Sequence, residues 1–263
     1  MLEHSGKQLL LREDKDGICT LTLNRPDTRN ALSSELLSEL QKTFNIIASD
    51  KKIKVIIITG NGSMFSSGHD LKEIRKNSSY NKMLTLFNQC GKMMITMKQQ
   101  PQPIIAKVHG DALAAGCQLV CNCDLAISAK TSKFALPGSS IGLFCSSPAV
   151  AVSRAANSKQ TMEMLLLGEP FNANDAERFG LINKAVAGEQ LDETVETYAN
   201  KIVKHSSLTI SMGKNAFYKQ MDMDLESAYA FTSEIMAKNM QEQDAHEGID
   251  AFLEKRTPNW RGR

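Results

Sequence analysis

The sequence has few of the features that mark nucleic-acid-binding or membrane proteins. Lys and Arg together number 31 against 29 Asp and Glu, the formal net charge is +2, and no basic run is present. We therefore expect no nucleic-acid partner. No stretch approaches the ~20 apolar residues of a membrane span. The N-terminal segment also lacks the pattern of an export or transit signal, so we expect a cytoplasmic protein.

Cysteine is present, but not in the spacing of a metal site. The six cysteines include no C-x-x-C pair, and no His or carboxylate cluster accompanies Cys117 and Cys121. Metal binding is the less favoured interpretation, and buried free thiols in a reducing compartment are the favoured one. The 42% apolar and 23% charged composition is that of a globular chain.

The most informative stretch is a strand followed by a small-residue turn and a helix. Residues Pro103–Val108 form an apolar run that predicts a buried strand, and Gly110 ends it. From Ala114 onward the residues are apolar and small, which predicts a buried helix. Small side chains beside a helix N-terminus let a ligand reach backbone N–H groups. Half of a site for an oxygen anion and a tightly packed helix without a ligand are equally good interpretations.

The rest of the chain divides into an α/β part and a helical part. Residues Gln8–Glu13 and Gly17–Asn24 predict a hairpin, Ser33 predicts a helix N-cap, and Ile53–Gly60 predicts a strand buried on both faces. This order is typical of right-handed βαβ units. From Ala149 onward helical periodicity dominates.

Five segments in a fixed order carry a family resemblance. They are NRPDTRNAL at Asn24–Leu32, MFSSGHDLKE at Met64–Glu73, VHGDALAAGCQLVCNCDLAIS at Val108–Ser128, the run Phe134–Gly142, and GEPFNANDAERFGLIN at Gly168–Asn183. With these segments, which span nearly the whole chain, the sequence resembles the crotonase (enoyl-CoA hydratase/isomerase) superfamily.

The resemblance implies an α/β fold, a ClpP-like spiral of ββα turns followed by a C-terminal helical region. We expect the spiral core over residues 1–200 and a helical trimerisation region over 201–263, assembled as homotrimers or hexamers. The implied ligand is an acyl-CoA thioester, without a further cofactor or a metal. The mitochondrial matrix replaces the cytoplasm as the expected location if the chain is a processed eukaryotic one.

The resemblance also implies site residues. Two backbone N–H groups, of His69 and Ala115, are expected to hold the thioester oxygen; the family usually has glycine at the second position, but only its N–H is needed. The residues expected to bind coenzyme A are Ser66, Ser67, His69, Asp70, Leu71 and Lys72 along the channel, Arg25, Arg29 and Lys72 at the phosphates, and Phe252 and Lys255 over the nucleotide. Arg29 is the best placed of the three basic residues, and a solvated surface is the alternative for each of them.

The pattern fails where water addition needs it. Hydratases of this family use two glutamates, whose positions here hold Gln118 and Gly138, and no Asp or Glu occurs from Leu125 to Met162. Asp111 is a candidate acid or base, although a turn-forming role is favoured. For the His69 imidazole a packed or exposed position is favoured, and Asp70 is expected to cap the helix after it.

Three functions remain open. The first is an acyl-CoA enzyme with non-standard chemistry, such as decarboxylation or hydrolysis, within a family of lyases and isomerases. The second is an enoyl-CoA hydratase with an unrecognised proton relay. The third is a non-catalytic acyl-CoA-binding or regulatory protein on the same scaffold.

Overall fold

Two β-sheets carry the first two thirds of the chain in the computed structural model, which describes residues 8–76 and 78–263. The strands are β1 (Leu10–Lys15), β2 (Ile18–Leu23), β3 (Val55–Gly60), β4 (Met64–Ser66), β5 (Ile104–Val108), β6 (Asp111–Leu113), β7 (Leu125–Ala129), β8 (Lys133–Ala135), β9 (Phe171–Asn172) and β10 (Lys184–Val186). The larger sheet has the order β1-β2-β3-β5-β7-β10, and the smaller has the order β4-β6-β8-β9.

Successive segments contribute one strand to each sheet. β3, β5 and β7 pair in parallel in the larger sheet, and the strands that directly follow them, β4, β6 and β8, pair in parallel in the smaller one. Helices join these strand pairs, so the chain winds as a spiral of ββα turns. The expected fold is confirmed.

The helices are α1 (Ser34–Ala48), α2 (Leu71–Lys76), α3 (Tyr80–Gln99), α4 (Ala115–Asn122), α5 (Ser146–Ala155), α6 (Ser158–Leu167), α7 (Ala173–Phe179), α8 (Leu191–Val203), α9 (Ser207–Gln220), α10 (Leu225–Asn239) and α11 (Gln243–Glu254). The predicted Ser33 cap is confirmed, since its hydroxyl accepts from the Leu36 N–H at 3.3 Å. The predicted strand over Ile53–Gly60 is present as β3.

β3 is covered on both faces, as its unbroken apolar run predicted. Ile56 and Ile58 face the main core with α1, whereas Val55 and Ile57 face a second cluster that includes Leu191 of α8. Parallel strands buried on both faces need such runs, because each successive side chain points to the opposite face.

The C-terminal helices are joined to the spiral by a buried ion pair. Lys214 Nζ of α9 lies 2.7 Å from Asp124 Oδ2, and Tyr218 donates to Asp124 Oδ1 at 2.8 Å. Asp124 also accepts from the Ile104 N–H at 2.7 Å, which anchors the loop after α4. The expected boundary at residue 200 falls inside α8, and the division into two regions stays a prediction.

Three short strands, β4, β6 and β9, were not predicted. The sequence interpretation treated the residues of β4 as a loop and those of β6 as a turn, but each is three residues long and pairs in the smaller sheet. Three residues are too few to show a period of two. β4 and β6 deliver the backbone segments from which the candidate site is built.

Candidate functional site

The loop after β4 is fixed by one hydrogen bond within itself and by two to the backbone of residues 30–32. The Ser66 hydroxyl donates to Asn30 O at 2.9 Å and accepts from the Gly68 N–H at 3.3 Å. Gly68 has φ +92°, which side-chain-bearing residues rarely adopt, and its carbonyl accepts from the Leu32 N–H at 2.7 Å. The peptide that carries the His69 N–H is therefore held in one orientation.

The turn between β6 and α4 holds the second amide. Ala114 has φ 48° and ψ −118°, a strained conformation for a residue with a side chain. Its carbonyl accepts from the Gln118 N–H at 3.0 Å and so points along α4. Because C=O and N–H point in opposite directions in a trans peptide, the Ala115 N–H points out of the helix at its N-terminus.

The two turns meet. A Cβ atom added to Gly68 would lie 3.1 Å from Ala115 N and 2.9 Å from Ala114 Cβ. His69 directly follows Gly68, so the amides of His69 and Ala115 adjoin the same point. Within the described part of the chain, neither N–H donates to a backbone acceptor. Two such donors at a helix N-terminus are suited to bind an oxygen that carries negative charge.

Gly116 keeps the two turns at this separation. A Cβ atom there would lie 2.3 Å from Ser66 O, so only glycine allows α4 to approach the end of β4. The sequence interpretation noted the small residues of this stretch, and the structure shows which contact requires one of them.

The two positions where the family resemblance implies glutamates are uncharged. Gln118 is 4% exposed, and its Oε1 has no hydrogen-bond partner among the described residues. A buried acceptor without a donor costs about 1–3 kcal/mol. A Cβ atom on Gly138 would lie 2.5 Å from Leu143 O and 2.7 Å from Cys145 Sγ. The space into which a side chain at position 138 would grow is filled.

The thiol beside Gly138 is not a good nucleophile. Cys145 is 9% exposed, and burial raises its pKa above the ordinary value, although a hydrogen bond from the Gly138 backbone opposes this. All six cysteines are buried and free, as expected, and the reducing compartment stays a prediction.

Asp111 lies at the start of β6, whereas Ala115 follows the other end of that strand. The Asp111 carboxylate accepts from the Lys133 N–H at 2.9 Å, a contact that joins β6 to the start of β8. The contact is structural, but it links two strands, and Asp111 lies in a strand and not in the expected turn. Its acid or base role stays a prediction that this position does not favour.

The His69 imidazole packs inside the site region. Its Nδ1 lies 3.4 Å from Leu32 O, and its ring meets the edge of Phe87 of α3 at a centroid distance of 5.4 Å. Burial lowers the pKa of the imidazole below 6.5, while the carbonyl of Leu32 and the charge of Glu73 oppose this. The Nε2 atom is buried and has no partner among the described residues. The ring is therefore packed, as the favoured interpretation had it, but with one polar atom unsatisfied.

Asp70 serves as the N-cap of α2, as expected. Its Oδ1 accepts from the Lys72 and Glu73 N–H groups at 3.1 and 3.2 Å, and its Oδ2 lies 3.0 Å from Arg25 Nη2. The Arg25 guanidinium also donates to Ala31 O, and its side chain is 18% exposed. Arg25 is thus engaged within the loop, which does not favour its predicted contact with a phosphate.

The other predicted channel residues differ in accessibility. Ser66 is fully buried and braces the loop, Ser67 is half-buried, and Leu71 and Lys72 are exposed on α2. Their predicted contacts with coenzyme A stay predictions. A shallow depression is lined by Leu71, Lys72, Arg75 and Lys76. Sequence reasoning missed the last two residues, although the basic side chains in the first helix after the His69 loop could have indicated them.

Arg29 is exposed beside the same loop, where it ends the turn Pro26–Thr28 with φ 56°. Phe252, near the end of α11, is 83% exposed, and Lys255 follows that helix with φ 57°. An aromatic side chain so exposed is available to a second molecule.

The described residues contain neither a membrane-spanning helix nor a cluster of metal ligands. None of the helices in the described ranges is long and apolar enough to cross a membrane. No group of three or more His, Cys, Asp or Glu side chains with the arrangement of a metal site occurs within residues 8–76 and 78–263.

Comparison with known proteins gives consistent matches. The sequence profile of the family described as enoyl-CoA hydratase/isomerase matches residues 13–263. The chain is 44% identical over 256 residues, 97% of its length and 85% of the relative's, to the mitochondrial enoyl-CoA hydratase domain-containing protein 3 of Rattus norvegicus.

Two solved structures agree with it over their full length. An enoyl-CoA hydratase from Mycobacterium smegmatis has a TM-score of 0.95 at 45% identity, covering 97% of this chain and 99% of the other. Human enoyl-coenzyme A hydratase domain-containing protein 3 has a TM-score of 0.94 at 43% identity, covering 96% of this chain and 100% of the other.

Proposed function

The chain belongs to the enoyl-CoA hydratase/isomerase family, and on that premise we propose that it binds an acyl-CoA thioester and stabilises negative charge on the thioester oxygen. The two donors are the backbone N–H groups of His69 and Ala115. The resulting enolate or tetrahedral oxyanion gains most from donors that are fixed in place before it forms.

One observation carries the proposal. A Cβ atom on Gly68 would lie 3.1 Å from Ala115 N, so the two turns approach each other closely. Neither the His69 nor the Ala115 N–H has a backbone acceptor in the described ranges. Two unpaired donors that converge through a strained alanine and a glycine at positive φ are costly features of a fold. An oxygen ligand accounts for both.

Ordinary water addition to an enoyl-CoA does not fit this site. It requires removal of a proton from the water that attacks Cβ and delivery of a proton to Cα, and neither Gln118 nor Gly138 transfers a proton. The Mycobacterium smegmatis relative is named an enoyl-CoA hydratase, but that name supports the ligand class here and not the reaction. The alternative is a protein that binds acyl-CoA without turnover.

The rest of the ligand and the assembly follow the same proposal. Arg29 and Lys72, both exposed beside the His69 loop, are the favoured partners of the coenzyme A phosphates. Phe252 and Lys255 would cover the nucleotide of a neighbouring subunit in a homotrimer or hexamer. The location stays a prediction, either the cytoplasm or the mitochondrial matrix; the rat relative is named as mitochondrial.

The test removes one N–H without removing a side chain. In Ala115→Pro the amide proton is lost at the first position of α4, where a helix tolerates proline. We expect a drop in turnover of acyl-CoA esters, or in affinity where there is no turnover, on the order of 10²–10³. Ala115→Gly keeps the N–H and should keep the activity. Equal behaviour of the two variants would sink the proposal.

A further inference from the structure

Four buried polar atoms lack a hydrogen-bond partner within the described residues, and two of them lie at the candidate site. They are Gln41 Oε1, His69 Nε2, Gln100 Oε1 and Gln118 Oε1. Gln41 and Gln100 are anchored through their Nε2 atoms, which donate to Thr96 Oγ1 at 2.9 Å and to Phe44 O at 3.1 Å. His69 and Gln118 differ from these two in position, because both belong to the segments that form the candidate site.

Gln118 lies on the same face of α4 as Ala115, since residues three apart on a helix are neighbours. Helical side chains lean toward the N-terminus, so the Gln118 amide extends over the first turn, toward the Ala115 N–H. It is 4% exposed. A buried amide oxygen beside an unpaired N–H is available to a ligand that donates a hydrogen bond.

His69, whose own N–H is one of the two amides, supplies the second acceptor. Its Nδ1 lies closest to the carbonyl of Leu32 and, when it carries the proton, leaves Nε2 as an acceptor. The edge of Phe87 fixes the ring. The site thus combines two backbone donors with two uncharged side-chain acceptors.

We propose that His69 Nε2 and Gln118 Oε1 accept the two O–H groups of one water molecule, and that this water hydrolyses the acyl-CoA thioester bound at the amide pair. The proposal rests on the proposed function of the His69 and Ala115 amides and adds a reaction and its base. Water fits the acceptor pair because it carries two donors and keeps a lone pair for attack.

The reaction balances without any further reactant. The water oxygen bonds to the thioester carbon as one of its protons passes to His69 Nε2, and the carbonyl oxygen becomes an anion held by the two amides. Collapse of this intermediate breaks the carbon–sulfur bond, and the departing sulfur takes the proton back from His69. The products are a free carboxylic acid and the coenzyme A thiol.

Hydrolysis fits where hydration does not, because it needs only one group to accept and return a proton. Among the described residues around the amides, the imidazole is the group that can do so: Asp70 is bound to Arg25 and caps α2, and Glu73 binds the backbone of Ser34 at 3.0 Å. Burial keeps the imidazole neutral by lowering its pKa, which is the form a base requires.

The test follows the oxygen of the solvent. The full chain is incubated in ¹⁸O-labelled water with acyl-CoA esters of short, medium and long chain, and the products are read by mass spectrometry. We expect one ¹⁸O atom in each free acid, released faster than by spontaneous hydrolysis of the ester in buffer. His69→Ala keeps the backbone N–H and should lower the rate by about 10²–10⁴ with little change in KM. Gln118→Leu, which removes the acceptor at similar size, should lower it less.

His109→Ala is the matched control, because His109 Nε2 contacts Gly62 O at 2.9 Å in a different loop. Full activity of His69→Ala, or a hydroxyacyl-CoA as the labelled product, would overturn the inference. A methylene analogue of the thioester separates it from the proposed function. If wild type binds this analogue more tightly than Ala115→Pro does but releases no acid from the acyl-CoA esters, the amide pair is supported and hydrolysis is wrong. If both bind it equally, the amide pair itself is wrong.

Discussion

The two halves of the candidate site differ in backbone strain and in packing. At the amide pair the backbone adopts conformations that are unfavourable for residues with a side chain, with Gly68 at φ +92° and Ala114 at φ 48°, and it approaches closely at Gly116. At the two acid and base positions nothing comparable is kept. Gln118 has no charge, and the space next to Gly138 is filled by Leu143 O and Cys145 Sγ.

The difference indicates which half of the site has a functional role. Strain persists only where the surrounding structure determines it, and such positions cluster at functional sites. The acid and base positions show no such strain, and the space beside Gly138 is filled. Under the proposed function, the site is therefore suited to hold an oxygen anion and not to transfer two protons.

The largest expected effect comes from filling the approach between the two turns. In Gly68→Ala the methyl group would stand 3.1 Å from Ala115 N and 3.0 Å from Leu113 O at a φ that alanine rarely adopts. We expect the affinity for acyl-CoA to fall on the order of 10²–10³ as the Ala115 amide is displaced. Titration with acyl-CoA and with coenzyme A alone measures it, and the affinity for coenzyme A should change much less.

Gly91→Ala is the control for this substitution. Gly91 lies within α3, and a Cβ atom there meets nothing within 4 Å, so alanine should stabilise the helix by about 0.5–1 kcal/mol. Wild-type affinity in Gly68→Ala would show that the close approach has no part in binding. The strained geometry of the amide half would then have no role in binding.

The second effect tests whether the acid and base half can be refilled. Gly138→Glu should destabilise the protein by about 1–3 kcal/mol, because its Cβ would overlap Leu143 O and Cys145 Sγ. Gln118→Glu is nearly isosteric and should fold. We expect no decrease of crotonyl-CoA absorbance above the buffer rate with either substitution or with both. Urea unfolding supplies the stabilities.

Gly188→Glu serves as the matched control, since a Cβ atom at Gly188 meets nothing within 4 Å. A stable double variant that hydrates crotonyl-CoA would mean that residues 143–145 move aside. The two halves of the site would then differ in charge alone, and the contrast in packing would have no functional meaning.

Much of the fold was predictable, because long elements repeat their pattern. The helix after Ser33 buries Leu36, Leu37, Leu40, Phe44 and Ile47, whose spacing in the sequence puts them on one helix face. β4 and β6 were missed because three residues carry no detectable period. The second sheet is therefore visible only in three dimensions.

For the candidate site, the motifs indicated positions and the structure supplies conformation. The sequence pointed to Ala115 and to the missing carboxylates at 118 and 138. It could not show the positive φ of Ala114, because alanine rarely adopts it, nor the free Nε2 of His69, because satisfaction of a polar atom depends on distant neighbours.

A smaller effect is expected from relieving the strain beside the amide pair. Ala114 adopts φ 48° and ψ −118°, a conformation that glycine enters without a steric penalty. Ala114→Gly should therefore stabilise the protein by about 1 kcal/mol, a rise in Tm of roughly 2–4 °C for a chain of this size. Calorimetry measures it. A lower Tm would show that the Ala114 methyl contributes more by packing than its conformation costs.

The smallest effect is a pH dependence that comes from a single group. Burial lowers the pKa of His69 below 6.5 in the folded chain, so the unfolded chain binds more protons as the pH falls below 6.5. Stability from this group is complete above pH 6.5 and declines from there toward the folded pKa. Asp70 and Asp244, whose pKa values are lowered, affect stability only below about pH 3.8 and do not overlap this window.

Urea midpoints at pH 7.5 and 5.5 should differ less in His69→Ala than in wild type. An equal difference in the two proteins would show that folding does not lower the pKa of His69, and the contrast with the acid and base half would then rest on backbone geometry alone.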